Sequence, residues 1–190
     1  MALILAGSAL AADVETVGRH GDGPTVLPVN QVLTPAGRQI ELPGIRAQAL
    51  ALAPDGQLLV VSGTTSGLLV LDPATGETKQ SVRLPKRVKE ASPQASSSEF
   101  LDFDGRSEMS YAGLSFSPDG RRLALSNVNG DVKLFAVQDG VLAPSGVVAL
   151  PPANAPHRAA DIPAGHAWSA DGTRLFVCGS LSNRLFEFDM

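Results

Sequence analysis

Four polar side chains in the last third of the sequence have the types and spacing that ligand chemistry requires. They are His157, Arg158, Asp161 and His166. A histidine, a guanidinium and a carboxylate placed together can bind or polarise a polar substrate. Random occurrence in a polar loop explains the first three as well, and packing in the core explains the last. We predict these residues as binding candidates, and we predict no catalytic residue, no cofactor, no cofactor-binding residue and no metal ligand.

A basic cluster and an acidic stretch lie between residues 83 and 105. The cluster consists of Arg83, Lys86, Arg87 and Lys89. It could bind an anion, but it has neither interleaved aromatic residues nor a glycine-rich loop, which favours a solvated loop. Asp102, Asp104 and Gly105 resemble the start of a calcium loop, yet the further oxygen ligands and the closing glutamate are absent from the sequence. We therefore assign no site to either stretch.

Composition and charge limit the possible functions. The chain has 190 residues, and 44% of them are hydrophobic, which is enough to form a packed core. Its formal net charge is -4, whereas a protein that binds nucleic acid normally carries a basic surplus. No apolar run in the sequence approaches the roughly 18 residues needed to span a bilayer. We predict a globular protein that binds no nucleic acid and has no membrane span.

A twelve-residue phrase recurs three times and indicates the architecture. The copies are LAPDGQLLVVSG at 52–63, FSPDGRRLALSN at 116–127 and WSADGTRLFVCG at 168–179. Each contains an aspartate followed by a glycine, namely Asp55 and Gly56, Asp119 and Gly120, and Asp171 and Gly172. Proline before the aspartate presets φ at about −65° for a β-turn, and glycine adopts the positive φ that closes it. The phrase therefore predicts a corner between two antiparallel strands.

Alternating apolar residues on both sides of each corner predict the strands. Leu50 and Leu52 precede the first corner, and Leu59 and Val61 follow it, with matching residues in the other copies. The predicted hairpins occupy 47–63, 111–127 and 163–179. Third strands are expected at 67–72, 131–137 and 184–189, and fourth strands at 78–84 and 141–150. Repeated four-stranded antiparallel sheets are the blades of a β-propeller. We predict an all-β, incomplete propeller of about three blades, the last lacking its outer strand.

The alignment of the repeats also interprets the single cysteine. Cys178 falls in line with Ser62 and Ser126, which indicates a position that requires a small side chain. A reactive thiol is the alternative. One cysteine allows no internal disulfide.

The repeat sequence also resembles a known group of proteins. SPDGRRLALSNVNGDVKLF at 117–135 and its relatives resemble the WD-like repeats of YVTN-type β-propellers, which occur in bacteria and archaea. The tract PPANAPHRAADIPAGHAWSADGTRLFVCGSLSNRLFEFD at 151–189 is similar to a subset in which an exported propeller precedes a phosphoesterase domain of the alkaline phosphatase type. The resemblance extends over 35–189. It implies that a catalytic domain, with its nucleophile and metal ligands, lies beyond residue 190.

The first residues resemble a secretory signal peptide. Residues 2–10 form a short apolar run, and Ala9, Leu10 and Ala11 fit the small-x-small cleavage rule, although no lysine or arginine precedes the run. A buried first strand is the alternative. We therefore expect a signal peptide at 1–11, a lead-in segment at 12–34 and the partial propeller at 35–190. This organisation predicts a periplasmic or secreted bacterial protein.

Two blades and most of a third cannot close a ring. We expect the chain to be a fragment of a longer protein; assembly of a ring from several copies is the alternative. Long insertions at 85–111 and 151–163 fall on one face of the disc, where loops on a rigid scaffold usually bind ligands. We predict a non-catalytic, exported module that binds a protein or a small molecule on that face. The alternatives are the propeller part of a phosphoesterase and a lactonase-like propeller enzyme.

Overall fold

The structure is a computed structural model, and it describes residues 16–190 except 22, 30, 35, 64–66, 86–108 and 157. The chain divides into two compact units, with the boundary between Glu41 and Leu42. The predicted signal peptide, 1–11, lies outside the described residues.

The first unit contains a small three-stranded antiparallel sheet. Its strands are β1 (Gly18–Arg19), β2 (Thr25–Val26) and β3 (Val32–Leu33), paired in the order β1-β2-β3. An ion pair joins Arg19 Nη1 to Glu41 Oε1 at 2.6 Å. Strands of two residues offer little apolar surface, so this sheet contributes little core of its own.

The second unit begins with two four-stranded antiparallel sheets. Blade 1 consists of β4 (Ala47–Leu52), β5 (Leu59–Gly63), β6 (Gly67–Leu71) and β7 (Thr78–Arg83), paired in chain order. Blade 2 consists of β8 (Met109–Phe116), β9 (Arg122–Asn127), β10 (Asp131–Gln138) and β11 (Val141–Ala149), also paired in chain order. The strands pair with their neighbours in sequence because the turns between them are short.

Blade 3 has three described strands. A short hairpin of β12 (Pro152–Ala155) and β13 (Arg158–Ala160) comes before it. The blade itself consists of β14 (Pro163–Trp168), β15 (Arg174–Gly179) and β16 (Arg184–Asp189). No helix occurs among the described residues. The predicted all-β architecture, a propeller with an incomplete third blade, is confirmed.

Each repeated corner is a tight turn that ends on a glycine of positive φ. These glycines are Gly56 at 73°, Gly120 at 70° and Gly172 at 71°. In the second corner, Gly120 N donates to Ser117 O at 2.9 Å. Asp119 Oδ1 accepts hydrogen bonds from Ser117 Oγ at 2.6 Å and from Arg121 N at 3.1 Å. The bond from Ser117 holds the pKa of Asp119 below its ordinary value. Aspartate therefore closes the corner as a hydrogen-bond acceptor.

Stacking of the blades face to face forms the core. Side chains alternate across each strand, so a blade has two faces, and blade 2 has one face toward blade 1 and the other toward blade 3. Blades 1 and 2 meet in a cluster that includes Val60, Leu68, Leu114, Leu123 and Phe135. Blades 2 and 3 meet in a second cluster, which includes Ala124, Val132, Leu175 and Val177. The hydrophobic core of this unit therefore lies between its blades.

Neighbouring corners also contact one another. A Cβ atom placed on Gly120 would lie 3.3 Å from Pro54 Cδ, and one on Gly172 would lie 3.6 Å from Pro118 Cδ. The proline of the first corner thus lies against the glycine of the second, and the proline of the second corner lies against the glycine of the third. Glycine permits this approach because it has no side chain.

Replacement of these glycines tests the corner. Gly120→Ala should lower the free energy of unfolding by about 1–2 kcal/mol, because alanine is strained at positive φ and its methyl group would press against Pro54. Gly56→Ala should lose stability through backbone strain alone, since nothing lies within 4 Å of its added Cβ. Gly165→Ala, with ordinary φ and equally open space, is the control. Urea unfolding measures all three, and equal stability of the variants would contradict the proposed corner contact.

Candidate functional site

The three innermost strands line an open groove of about 470 Å³. Strand β8 lies between β4 and β14, and the groove extends to the corner residues Pro54 and Pro118. Six large side chains line it, namely Leu50, Leu52, Leu114, Phe116, His166 and Trp168. We call this surface the inner-strand groove. An apolar wall with a few polar groups is typical of ligand-binding sites.

His166 is the titratable side chain of this wall. It occupies the strand position of Leu50 and Leu114, and its Nδ1 lies 2.9 Å from Ser126 Oγ. Ser126 Oγ also contacts Ala164 O at 2.7 Å. A carbonyl oxygen only accepts, so the single hydroxyl proton of Ser126 is donated to it. The hydroxyl oxygen therefore accepts from His166 Nδ1–H, and Nε2 of the neutral ring carries a lone pair.

Burial keeps His166 neutral. It lowers the pKa of His166 from 6.5 to about 4, because an apolar environment disfavours the charged imidazolium. Within the described part of the chain, three buried side-chain atoms have no hydrogen-bond partner, namely His166 Nε2, Ser115 Oγ and Ser62 Oγ. Of these residues, His166 and Ser115 line the inner-strand groove. A buried polar atom without a partner costs free energy. Packing in the core therefore explains Nδ1, which is hydrogen-bonded to Ser126, but it does not explain Nε2.

Trp168 is held between blades 2 and 3. Its Nε1 donates to Ser115 O at 3.4 Å, and the guanidinium carbon of Arg122 lies 5.0 Å from the centre of its ring. Arg122 Nη2 also donates to Gly172 O at 2.5 Å. The cation therefore joins the ring and the third corner, which fixes the position of Trp168 in the groove wall.

Asp161 is buried, and its carboxylate holds the turn after β15. Oδ1 accepts from Ile162 N at 2.8 Å and from Leu181 N at 2.9 Å, and Oδ2 accepts from Ser182 Oγ at 2.5 Å. Burial alone would raise the pKa of Asp161, but these hydrogen bonds outweigh it and hold the pKa below its ordinary value. The structure therefore gives Asp161 a structural role, and its predicted role in binding stays a prediction.

The other two predicted binding candidates, His157 and Arg158, are not described next to Asp161. Residue His157 and the side chain of Arg158 lie outside what the structure describes. The same is true of Lys86, Arg87 and Lys89 and of the calcium-like stretch at 99–105. The predicted binding loops on the insertion face thus stay predictions, while the groove that the structure describes reaches the opposite, corner face.

A buried polar cluster in blade 2 was missed from the sequence. Asn127 Nδ2 donates to Asp131 Oδ1 at 2.7 Å, and Lys133 Nζ lies 3.3 Å from both carboxylate oxygens of Asp131. All three side chains are almost completely buried. Lys133 pairs with Leu125 across the sheet, where blade 1 pairs Leu69 with an apolar residue. A lysine in that apolar position was the signal that could have revealed the cluster.

Cys178 differs from its counterparts in exposure. Ser62 and Ser126 are fully buried, whereas Cys178 is exposed. The following blade covers the equivalent faces of blades 1 and 2. A small side chain is therefore required at this position in blades 1 and 2, where the following blade covers it. The described part of blade 3 does not impose that requirement on Cys178.

The described residues show neither a metal-binding cluster nor a membrane helix. Within residues 16–85 and 109–190, apart from the gaps noted above, no group of three or more His, Cys, Asp or Glu side chains is placed to hold a metal ion. In the same part of the chain, no helix has the length and apolar character needed to cross a bilayer.

Comparison with known proteins supports the fold. No family model matches the chain, and no curated protein matches it. Hydrazine synthase of Kuenenia stuttgartiensis matches with a TM-score of 0.54 and 16% identity, over 83% of this chain and 36% of that one. The Cps50 (Swd1) β-propeller domain of Myceliophteria thermophila matches with a TM-score of 0.53 and 17% identity, over 90% and 47%. A putative 6-phosphogluconolactonase of Bacteroides fragilis matches with a TM-score of 0.54 and 20% identity, over 78% and 36%. This chain spans less than half of each matched chain, and these likenesses show the β-propeller fold alone.

His166→Leu tests the electrostatic state of the groove. A base whose pKa is lowered on folding loses stability as pH falls from its unfolded pKa of 6.5 toward its folded pKa of about 4. The wild type should therefore lose about 2–3 kcal/mol more than His166→Leu between pH 7.5 and pH 4.5. At pH 7.5 the variant should be about 1 kcal/mol more stable, because it buries no unpaired nitrogen.

Urea unfolding at the two pH values measures these differences. His20→Leu, at an exposed histidine of the first unit, is the control and should change stability by no more than about 0.5 kcal/mol. A pH dependence shared equally by the wild type and His166→Leu would show that the imidazole is not buried as described.

Proposed function

We propose that this chain is a non-catalytic β-propeller module that binds its ligand in the inner-strand groove. The observation that carries this proposal is His166 in the apolar wall. It replaces the leucine of the other two repeats, and its Nε2 is buried without a partner. A repeat that departs from its pattern at one position of the innermost strand, at a cost in free energy, suits recognition better than packing.

The chemistry of the wall defines the class of ligand. Leu50, Leu52 and Phe116 present apolar surface, while neutral His166 carries a hydrogen-bond acceptor at Nε2. This atom is buried, so a ligand must displace neighbouring side chains to reach it. The complementary ligand is an apolar group that carries one hydrogen-bond donor. Such a group can belong to a small molecule or to a side chain of a partner protein.

Two aromatic probes separate these features. Benzyl alcohol and toluene have similar apolar bodies, but only the alcohol donates a hydrogen bond. Wild-type protein should bind benzyl alcohol about tenfold more tightly than toluene, because one hydrogen bond contributes about 1 kcal/mol or slightly more. Trp168 is the only tryptophan and lines the groove, so its fluorescence measures both titrations.

The control is the variant in which the acceptor is replaced by the leucine of the other repeats. His166→Leu should lose the preference for the alcohol and bind toluene at least as well. The proposal fails if neither probe changes Trp168 fluorescence in the wild type. It also fails if His166→Leu keeps the full preference for benzyl alcohol.

The proposal includes a cellular setting. The apolar run at 2–10 followed by a small-x-small site supports export to the periplasm or the medium of a bacterial cell. The resemblance of 117–135 to YVTN-type repeats supports the same setting. In it, the module orients a partner, or a phosphoesterase domain that follows it in a longer polypeptide, as the resemblance of 151–189 implies.

The second candidate function is catalysis, either by a phosphoesterase or by a lactonase-like propeller. The resemblance of 151–189 favours the first, and the structural likeness to a putative 6-phosphogluconolactonase suits the second. Under the module proposal, the purified chain should hydrolyse neither p-nitrophenyl phosphate, with Mg²⁺, Mn²⁺ or Zn²⁺ added, nor gluconolactone above the spontaneous rate. Lactone turnover that disappears in His166→Leu would overturn the module proposal in favour of an enzyme that uses the same groove.

A further inference from the structure

The turn between β10 and β11 contains an aspartate–glycine pair in a different setting from the pairs of the three corners. Gln138 pairs with Val141 across the hairpin, so Asp139 and Gly140 form a two-residue loop. Both have positive φ, 52° at Asp139 and 76° at Gly140, which is typical of a type I′ turn. Both residues are exposed, so the peptide bond between them is open to water.

Hydrogen bonds hold the glycine N–H and the aspartate carboxylate of each corner. In the second corner, Gly120 N donates to Ser117 O at 2.9 Å, and Asp119 Oδ1 accepts from Arg121 N at 3.1 Å. The first and third corners repeat both bonds. The glycine nitrogen and the carboxylate of a corner are therefore each fixed to another partner and cannot react with one another unless both bonds break.

The loop between β10 and β11 has neither of these bonds. Within the described part of the chain, the N–H of Gly140 and the carboxylate of Asp139 have no hydrogen-bond partner in the protein. The backbone of Asp139 is also strained, because positive φ crowds the Cβ of an L-residue. Gly140 has no side chain that could shield its nitrogen. This nitrogen and the Cγ atom of Asp139 can therefore approach each other.

We propose that Asp139–Gly140 is a modification site at which aspartate isomerises through a cyclic imide. The Gly140 nitrogen attacks Cγ of Asp139 and forms an N–Cγ bond. One Cγ–O bond breaks, and its oxygen leaves as water with the amide proton and one proton from solvent. Water from solvent then adds to one carbonyl carbon of the imide and breaks the bond from that carbon to nitrogen. Addition at the main-chain carbonyl gives isoaspartate, whereas addition at Cγ restores aspartate.

Isomerisation at this turn should loosen the outer strand of blade 2. Isoaspartate adds a carbon atom to the main chain, so the loop no longer fits the pairing of Gln138 with Val141. The next residue, Leu142, is joined to blade 1 by two hydrogen bonds with the side chain of Gln80, at 2.7 and 3.0 Å. The modification therefore acts beside a contact between two blades.

Labelling with water enriched in the heavy oxygen isotope tests the proposal on the wild-type chain. Each passage through the imide introduces one solvent oxygen, whichever carbonyl is hydrolysed. Digestion with trypsin in ordinary water then releases Asp139 in peptide 134–158 and Asp119 in peptide 107–121, each with one aspartate–glycine pair. Fragment masses should locate the label at Asp139. It should accumulate there about tenfold faster than at Asp119, because two hydrogen bonds must first break in the corner.

Unfolded protein is the control for effects of the local sequence. In urea the corner hydrogen bonds are lost, and the two peptides should gain heavy oxygen at similar rates. Asp139→Glu should remove the label at residue 139 and keep that at Asp119, since the longer side chain would have to close a six-membered ring. Equal rates for the two peptides of the folded wild type would overturn the proposal, as would the absence of label at Asp139.

Hydrogen exchange measures the consequence for the strand. The fraction of protein that contains isoaspartate can be separated by chromatography. In it, the Leu142 N–H, which donates to Gln80, should exchange about tenfold faster than in unmodified protein. The Leu150 N–H, which donates to Gly130 O just beyond the other end of β11, is the control and should keep its rate. Unchanged exchange at Leu142 would contradict the loosening of this strand.

Discussion

Face-to-face packing between neighbouring blades is the interaction on which the rest of the structure depends. A four-stranded sheet has two faces, and neither can be buried unless another layer covers it. Val60 and Leu68 of blade 1 are completely buried because blade 2 lies over them, and Ala124 and Val132 of blade 2 are buried because blade 3 does. Each buried aliphatic side chain of this kind contributes about 1.5–3 kcal/mol, so the stability of each blade depends on its neighbour.

The repeated corners determine how closely the inner strands approach. The glycine of one corner lies against the proline of the preceding corner, and Arg122 joins the second blade to Trp168 and to the third corner. These contacts hold β4, β8 and β14 side by side. The inner-strand groove is therefore a consequence of the blade packing: its wall consists of the three innermost strands, and its shape follows from the spacing of the corners.

Several polar side chains are buried between or within the blades, and they differ in whether all their polar atoms have hydrogen-bond partners. Asp131, Asn127 and Lys133 satisfy one another within blade 2, and the Asp161 carboxylate satisfies the backbone of a turn. His166 differs, because only one of its ring nitrogens has a partner. Fully paired groups are explained by structure alone, whereas an unpaired acceptor in an apolar wall requires a further reason.

Sequence alone determined the fold class, because corners and alternation are local properties: proline, aspartate and glycine specify a turn, and period-two alternation specifies a strand with one buried side. It also indicated that His166 stands in an apolar position. Only the tertiary structure decided which residues meet. Ser126 reaches His166 from another blade, Asp161 folds onto Leu181 and Ser182, and Cys178 is exposed where its aligned serines are buried. Aligned residues can have different surroundings because their surroundings come from neighbouring blades, whose side chains differ at each step around the axis.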